Sequence, residues 1–220
     1  MTFNMNKCCY EILGTGSSGN AVIYWNTVLV DCGVPFKVLK NHVKNIDFIL
    51  LTHQHGDHIN LTTLEKIRDI RPAIKIVCPE YLYYMVLHLG YISVVKTGVW
   101  YKMGSYFKFS PVFLEHDVKN CGYKMFFNYS HFTHKIFHAT DCAHLNGIDA
   151  YSYDLYAIEH NHSEDEIMRL IDEKKTNGEY SYEERSLNNH LSEEKAQEFI
   201  FKNRKSDSQV LRLHESNNTL

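Results

Sequence analysis

The stretch Thr52–His58 has the sequence Thr-His-Gln-His-Gly-Asp-His, and the interpretation of the whole chain depends on it. It follows Phe48–Leu51, an apolar run short enough for a buried strand. α/β folds place their chemistry beyond the C-terminal ends of such strands. Within six residues the stretch holds four side chains that can bind metal ions: His53, His55, Asp57 and His58. The segment therefore predicts a metal-binding loop at a strand end, with solvated loop histidines as the alternative.

Strand and helix patterns continue on both sides of this loop. Upstream, Ala21–Trp25 and Thr27–Asp31 read as a hairpin in an N-terminal antiparallel sheet. Downstream, helical spacing follows the loop, residues 100–137 are rich in strand patterns, and two further helices precede a last strand. Thr176–Asn189 is the one long polar connection. Two strand-rich blocks with accompanying helices predict an α/β fold, a four-layer α/β/β/α sandwich.

Length and composition are those of an ordinary globular protein. The chain has 220 residues, 44% of them hydrophobic and 22% charged, and we expect a single domain over residues 1–220. Six cysteines without Cys-x-x-Cys pairs suit free thiols in a reducing compartment. No stretch approaches the roughly 18 apolar residues of a membrane helix, and the start is polar. The expectation is a cytoplasmic protein without a membrane partner.

The charge balance gives no general attraction to nucleic acid. The formal net charge is -3, so a nucleic-acid substrate would have to be held by a local basic strip or by metal ions. The unusual component is histidine, with 14 residues. Their placement at ligand spacing is therefore more informative than their number.

Two metal ions need more donors than one loop offers. Each ion takes about four ligands, with a position left for water in a catalytic site. His116 follows the predicted strand Tyr106–Leu114, and Asp141 lies a few residues past Lys135–Phe137. Both could converge on the loop from strand ends. A turn residue without a metal role is the alternative for each.

These motifs resemble metallo-β-lactamase-fold metallohydrolases, and most closely the WalJ/YycJ-type branch, which is similar to RNase Z and β-CASP nucleases. The resemblance runs over nearly the whole chain. The last motif fits only if about two residues are missing from it. The matching segments are Gly16–Asn20, Val30–Gly33, Thr52–His58, His116–Asp117, Thr140–Asp141, Tyr153–His162, Asn189–Ser192 with asparagine in place of glycine, and Val210–Asn218.

The resemblance implies a role for each matching residue. It assigns His53, His55 and His116 to one ion and Asp57, His58 and a terminal histidine to the other, with Asp141 bridging. In nucleases of this superfamily the terminal ligand follows the last strand, which favours His214. His190 then matches the histidine that pairs with a glutamate, here Glu159, to protonate the leaving group. Asp57, Glu159 and His190 are thus the predicted catalytic residues.

A competing assignment makes His190 the metal ligand and leaves His214 on the surface. The chemistry favours the first assignment, because a proton donor for the leaving group cannot also be bound to metal through its lone pair. Asp31 is expected to orient a ligand histidine rather than to bind metal itself. The role of His162, which matches a motif position, is left open.

The predicted activity is a metal-dependent hydrolase of phosphodiesters. The favoured function is a nuclease that hydrolyses DNA or RNA with a metal-bridging hydroxide. It would use two divalent ions, zinc or manganese, although these ligand types also suit iron. The implied partner is a nucleic acid or nucleotide substrate. Alternatives are a phosphodiesterase for cyclic nucleotides or other small molecules, a thiolester or lactam hydrolase, and a non-catalytic binding module.

Overall fold

The first of two sheets holds the metal-binding loop. The structure, a computed structural model, describes residues 8–129 and 132–215. In this first, six-stranded sheet the strands lie in chain order: β1 (Tyr10–Gly14), β2 (Ala21–Tyr24), β3 (Val28–Val30), β4 (Phe48–Leu50), β5 (Lys75–Pro79) and β6 (Ile92–Val95). The pairs β1–β2 and β2–β3 are antiparallel, and β3 to β6 are parallel.

The second sheet also has six strands, and its order runs opposite to the chain. Its strands are β7 (Tyr101–Met103), β8 (Phe107–Leu114), β9 (Asn120–Tyr129), β10 (Phe132–Ala139), β11 (Leu155–Glu159) and β12 (Gln209–Leu213). Neighbours from β7 to β10 pair antiparallel, whereas β10, β11 and β12 are parallel. Each sheet thus combines an antiparallel part with a parallel part.

Helices lie outside both sheets. Three helices follow strands of the first sheet: α1 (Phe36–Leu39), α2 (Leu61–Ile70) and α3 (Tyr83–Val86), the last flanked by 3-10 turns at Glu80–Leu82 and Leu87–Leu89. Three belong to the second half: α4 (Glu164–Asn177), α5 (Glu183–Asn189) and α6 (Glu193–Asn203). Apolar residues of α2, such as Leu64, pack with Ile49 of β4, and Phe199 of α6 packs with Phe137 of β10. The predicted four-layer α/β/β/α sandwich is confirmed.

The central core lies between the two sheets. Alternate residues of β3, β4, β8 and β9 point into it, as expected for strands packed on both faces. Tyr24 and Val30 from the first sheet meet Phe109, Tyr123 and Phe127 from the second in one buried cluster. This layer fixes how the two sheets face each other.

The topology gathers strand ends at one edge of the sandwich. The parallel strands β3 and β4 of the first sheet end there, and so do β10, β11 and β12 of the second. Strand β8 pairs antiparallel with β9, which pairs antiparallel with β10, so β8 ends at this edge too. The predicted site residues follow these ends: Thr52–His58 after β4, His116 after β8, Asp141 after β10 and His214 after β12.

Several details differ from the sequence-based expectations. Thr176–Asn189 is not a plain connection, because α5 occupies its second half. Strand β6 was not predicted, and strand β10 begins at Phe132, earlier than the predicted strand Lys135–Phe137. All six cysteines are free thiols, as predicted. Among the described residues, no helix has the length and apolar character needed to cross a bilayer.

Gly33 tests how tightly the first sheet holds the loop. A Cβ atom at Gly33 would lie 1.7 Å from the carbonyl oxygen of Asp57, whereas one at Gly56 would meet nothing within 4 Å. We expect Gly33→Ala to lower the free energy of unfolding by about 1–3 kcal/mol or more, because backbone must move. Urea unfolding measures the change. Gly56→Ala is the control, and equal stability of the two variants would contradict the packing argument.

Candidate metal centre

Backbone hydrogen bonds clamp the metal-binding loop to the first sheet. The amide of Asn20 donates to the Asp57 carbonyl at 2.6 Å, and the amide of Cys32 donates to the His58 carbonyl at 2.9 Å. The side chain of Asn20 closes its own turn on Gly16 and also contacts Asp57. Asn20 therefore builds the turn that supports the loop.

Three histidines form one group of possible metal ligands. A ring nitrogen from each of His53, His55 and His116 lies within 4.8 Å of the others. The Nδ1 of His116 lies 3.0 Å from the carbonyl oxygen of Asn189, which can only accept, so Nδ1 carries the proton. The lone pair of His116 is then on Nε2, which lies 3.4 Å from His55. The three rings can bind one ion.

Asp57, His58 and His214 form a second group within the same distance. The Nδ1 of His58 donates to Asp31 at 2.6 Å, so its Nε2 is left for the cluster. This is the orienting contact expected of Asp31. The Nε2 of His214 lies 3.7 Å from the carboxylate of Asp57. His214 is thus buried at the site rather than on the surface.

Asp141 lies between the two groups. Its carboxylate is near His53 and His58 on one side and near His214 on the other. The Oδ2 of Asp141 is 2.8 Å from His58 Nε2, and Oδ1 is 3.3 Å from His214 Nε2. The Nε2 atom of His214 is buried without a hydrogen-bond partner among residues 8–129 and 132–215. Buried imidazole and carboxylate atoms that converge in this way fit divalent metal ions.

The pKa values of the cluster residues are shifted in different directions. Burial lowers the pKa of His53 to about 2, and it also lowers the pKa of His116, so both rings are neutral as ligation requires. Burial would raise the pKa of Asp141, but His58 holds it well below the usual range. Burial would lower the pKa of His214, but Asp57 and Glu159 raise it to about 10. Carboxylates thus raise the pKa values of His58 and His214, whereas burial lowers those of His53 and His116.

Glu159 and His190 form a pair at the rim of the cluster. Glu159 is fully buried, and its Oε1 lies 2.6 Å from His190 Nδ1 and 3.2 Å from His214 Nδ1. Its Oε2 accepts from the amides of Cys142 at 3.0 Å and Leu191 at 3.1 Å. Burial would raise the pKa of Glu159, but the contacts with His190 and His214 lower it.

His190 is the proton donor of this pair. Burial would lower its pKa, but the hydrogen bond with Glu159 raises it. The His190 side chain is 19% exposed, whereas that of Glu159 is 0% exposed, so a bound substrate can reach the imidazolium. The arrangement can therefore present a proton beside the metal ligands.

Some contacts at the site were not foreseen. Asp117 lies 3.4 Å from His55 and 3.1 Å from His116, and it pairs with Arg185 of α5. The side chain of Asn161, within the matching segment Tyr153–His162, donates to the carbonyl of His214 at 3.1 Å. His162 is buried beside Asn161 and belongs to none of the metal-binding groups among the described residues.

Sequence and fold comparisons agree with this architecture. The sequence model of the family described as "Beta-lactamase superfamily domain" matches residues 26–157, more than half of the chain. A search of curated proteins found no match.

Solved structures resemble the fold over nearly the whole chain. The metallo-beta-lactamase fold protein YhfI from Bacillus subtilis has a TM-score of 0.72 and 14% identity, over 96% of this chain and 87% of that chain. Human tRNase Z, short form, has a TM-score of 0.67 and 18% identity, over 94% and 92%. A diphosphatase from the PhnP family has a TM-score of 0.63 and 16% identity, over 96% and 87%.

At such identities these structures speak for the fold alone. The family match covers the metal-binding loop, His116 and Asp141, the residues that the structure brings together. The chain therefore belongs to the β-lactamase superfamily and has the metallo-β-lactamase fold, a fold of metal-dependent hydrolases.

Proposed function

We propose that this protein is a dinuclear metal-dependent phosphodiesterase, a nuclease acting on DNA or RNA. The observation that carries the proposal is the Glu159–His190 pair, 2.6 Å apart, beside a cluster of metal-binding donors. Such a pair can act as a general acid for an oxyanion leaving group, which must receive a proton. A thiolester hydrolase would not need it, because a thiolate leaves unprotonated.

The ligand assignment follows the two groups. His53, His55 and His116 would hold one ion, Asp57, His58 and His214 the other, with Asp141 between them. Two divalent ions there would supply Lewis-acid neutralisation of phosphate charge and activation of water at neutral pH. The contacts of His214 with Asp57 and Asp141 support it as the terminal ligand. Zinc and manganese both suit these donors.

The protein's own residues handle the proton. Glu159 accepts the Nδ1 proton of His190, which orients the ring and favours its charged form. The other ring nitrogen of His190 would then donate to the leaving oxygen of the phosphodiester. Glu159 is itself held by two backbone amides, so the pair is pre-organised.

The first test removes a predicted ligand. We expect Asp57→Ala and His55→Ala to abolish hydrolysis of a phosphodiester, because each removes a predicted ligand. Far-ultraviolet circular dichroism should change little, because both side chains are partly exposed. His88→Ala is the matched control, since His88 lies in the 3-10 turn Leu87–Leu89, pairs with Glu65 and belongs to none of the metal-binding groups among the described residues. Full activity in either ligand variant would sink the two-metal proposal.

The second test separates proton donor from ligand. His190→Ala should reduce cleavage of an oligonucleotide by about 10²- to 10⁴-fold, because an alkoxide would leave without its proton. Cleavage of an aryl phosphodiester whose leaving group departs unprotonated should fall far less, and the metal content should be unchanged. His214→Ala should instead lose metal.

Each alternative has its own signature in that test. Loss of metal in His190→Ala with retention in His214→Ala would reverse the two assignments. Cleavage of cyclic nucleotides but of no oligonucleotide would favour the small-molecule phosphodiesterase. An inactive protein that still binds two ions would favour a binding module.

Metal affinity should depend on pH. The pKa values of His58 and His214 are raised, so both rings hold protons near neutrality, and a metal ion must displace them. Affinity should therefore rise as the pH increases from about 6 to about 9, with proton release on binding. Titration of zinc against a chromophoric chelator measures the affinity, and calorimetry in buffers of different ionisation enthalpy counts the protons. A flat profile would contradict the charge assignment.

A further inference from the structure

Four lysines project from the outer face of the second sheet: Lys102 of β7, Lys108 of β8, Lys124 of β9 and Lys135 of β10. Lys102 is directly opposite Lys108, and Phe126 lies between Lys108 and Lys135 in register. The neighbouring residues on each of β8, β9 and β10 point the other way, into the core between the sheets. We call these lysines, with Trp100 and Phe126, the lysine face.

Aromatic rings lie between the amines. The Trp100 and Phe126 rings meet edge to face at 5.0 Å, and Trp100 is 48% exposed. The amine of Lys108 lies 5.4 Å from the Trp100 ring and 4.6 Å from the Phe126 ring. The amine of Lys135 lies 6.0 Å from the Phe126 ring. Cations and ring faces thus alternate across the strands.

The positive charge of this face is not neutralised by ion pairs within residues 8–129 and 132–215. In the part of the chain that the structure describes, none of the four lysines forms an ion pair with a carboxylate. Asp149 acts on Lys124 only at longer range, and Asp154 is paired with Lys205. By contrast, most other lysines of the second half have acidic partners.

The ring contacts stabilise Lys108 and Lys135 individually, but the clustering of four lysines works against stability. Like charges directly opposite each other on paired strands, as at Lys102 and Lys108, cost stability. A lysine on an edge strand protects against strand addition, which accounts for Lys102. The other three lysines lie on interior strands. Their clustering in a chain of net charge -3 therefore needs another reason.

We propose that the lysine face binds single-stranded nucleic acid, with lysines contacting phosphates and Trp100 stacking on a base. Unpaired amines attract a phosphate backbone, and exposed aromatic faces attract unpaired bases. A duplex or a lipid surface would use the amines but not the ring. The inference rests on the proposed function, because it names the substrate as single-stranded.

The lysine face would hold a flanking segment rather than the cleaved bond. Lys108 precedes His116 by eight residues along β8, and Lys135 precedes Asp141 by six along β10. At roughly 3.3 Å per strand residue, these separations are about 20–26 Å. Small substrates that occupy only the metal centre should therefore be indifferent to these lysines.

The test compares two double variants of equal charge change. Lys108→Gln/Lys135→Gln alters the lysine face, and Lys37→Gln/Lys66→Gln alters exposed lysines near the helices of the first sheet. Binding is measured on the metal-loaded protein by fluorescence anisotropy, with single-stranded phosphorothioate DNA and RNA of about 20 nucleotides that resist cleavage. A duplex and vesicles containing phosphatidylserine are parallel probes.

We expect the Lys108/Lys135 variant to weaken single-strand binding at least about 5-fold and the control to bind like wild type. The slope of log K against log salt should become shallower by about 1.4, as two phosphate contacts are lost at about 0.7 each. Trp100→Leu should weaken binding about 5-fold or more without changing that slope. The DNA and RNA arms show which strand is preferred.

Several results would overturn the inference. These are equal weakening by both double variants, duplex binding as tight as single-strand binding, or an effect of the lysines on vesicle binding alone. Hydrolysis of an aryl phosphodiester separates this inference from the proposed function and should be unchanged in Lys108→Gln/Lys135→Gln. If the protein binds single strands through these lysines but hydrolyses no phosphodiester, the proposed function is refuted and the inference that the lysine face binds single-stranded nucleic acid is retained.

Discussion

The buried carboxylate of Asp31 holds the metal-binding loop to the first sheet. It accepts from the amide of Thr52 at 2.9 Å, from the Thr52 hydroxyl, and from Nδ1 of His58 at 2.6 Å. Burial raises the pKa of Asp31, and the contacts with His58 and Thr52 counter that effect. One side chain thus fixes where the loop begins and which nitrogen His58 turns toward the cluster. Because the other donors converge on this loop, their usefulness depends on that attachment.

The backbone conformation at three residues also contributes to the geometry of the site. Asp31, Asp141 and His214 have φ values of 59°, 55° and 51°, in the left-handed region that favours glycine. Each lies just past a strand end, where Asp141 and His214 offer atoms to the cluster and Asp31 holds His58. Such conformations cost on the order of 1–3 kcal/mol each and persist where surrounding contacts enforce them. Three of them at one edge indicate that the fold gives up stability to form the site.

Much of the fold and of the site follows from local sequence. The loop motif, the apolar strand before it and the residues placed just after strand ends predict the sandwich and bring the predicted ligands to one edge. The choice between His190 and His214 stayed open in the sequence, because it depends on how the end of β12 meets the segment after α5. The WalJ/YycJ branch, the metal and the substrate remain predictions.

Helix α5 escaped prediction for a physical reason. Helix α5 has no buried residue, so its sequence lacks the apolar periodicity by which helices are recognised. It is held by ion pairs, Lys174 with Glu183 at 2.6 Å and Arg185 with Asp117. The residues of these ion pairs are separated in sequence and meet only in the folded structure, so no local sequence pattern indicates the pairing. The contact of Asp117 with the metal-binding histidines was hidden for the same reason.

The lack of buried residues in α5 has a mechanical consequence. His190 directly follows α5, whereas the metal-binding residues follow strands of the core. Exposed ion pairs weaken as salt screens them, but packed strands do not. On one side His190 is therefore attached to a helix whose ion pairs salt can weaken, and on the other side to buried Leu191, whose amide donates to Glu159. High salt should loosen α5 while Leu191 keeps the proton donor beside the ligands.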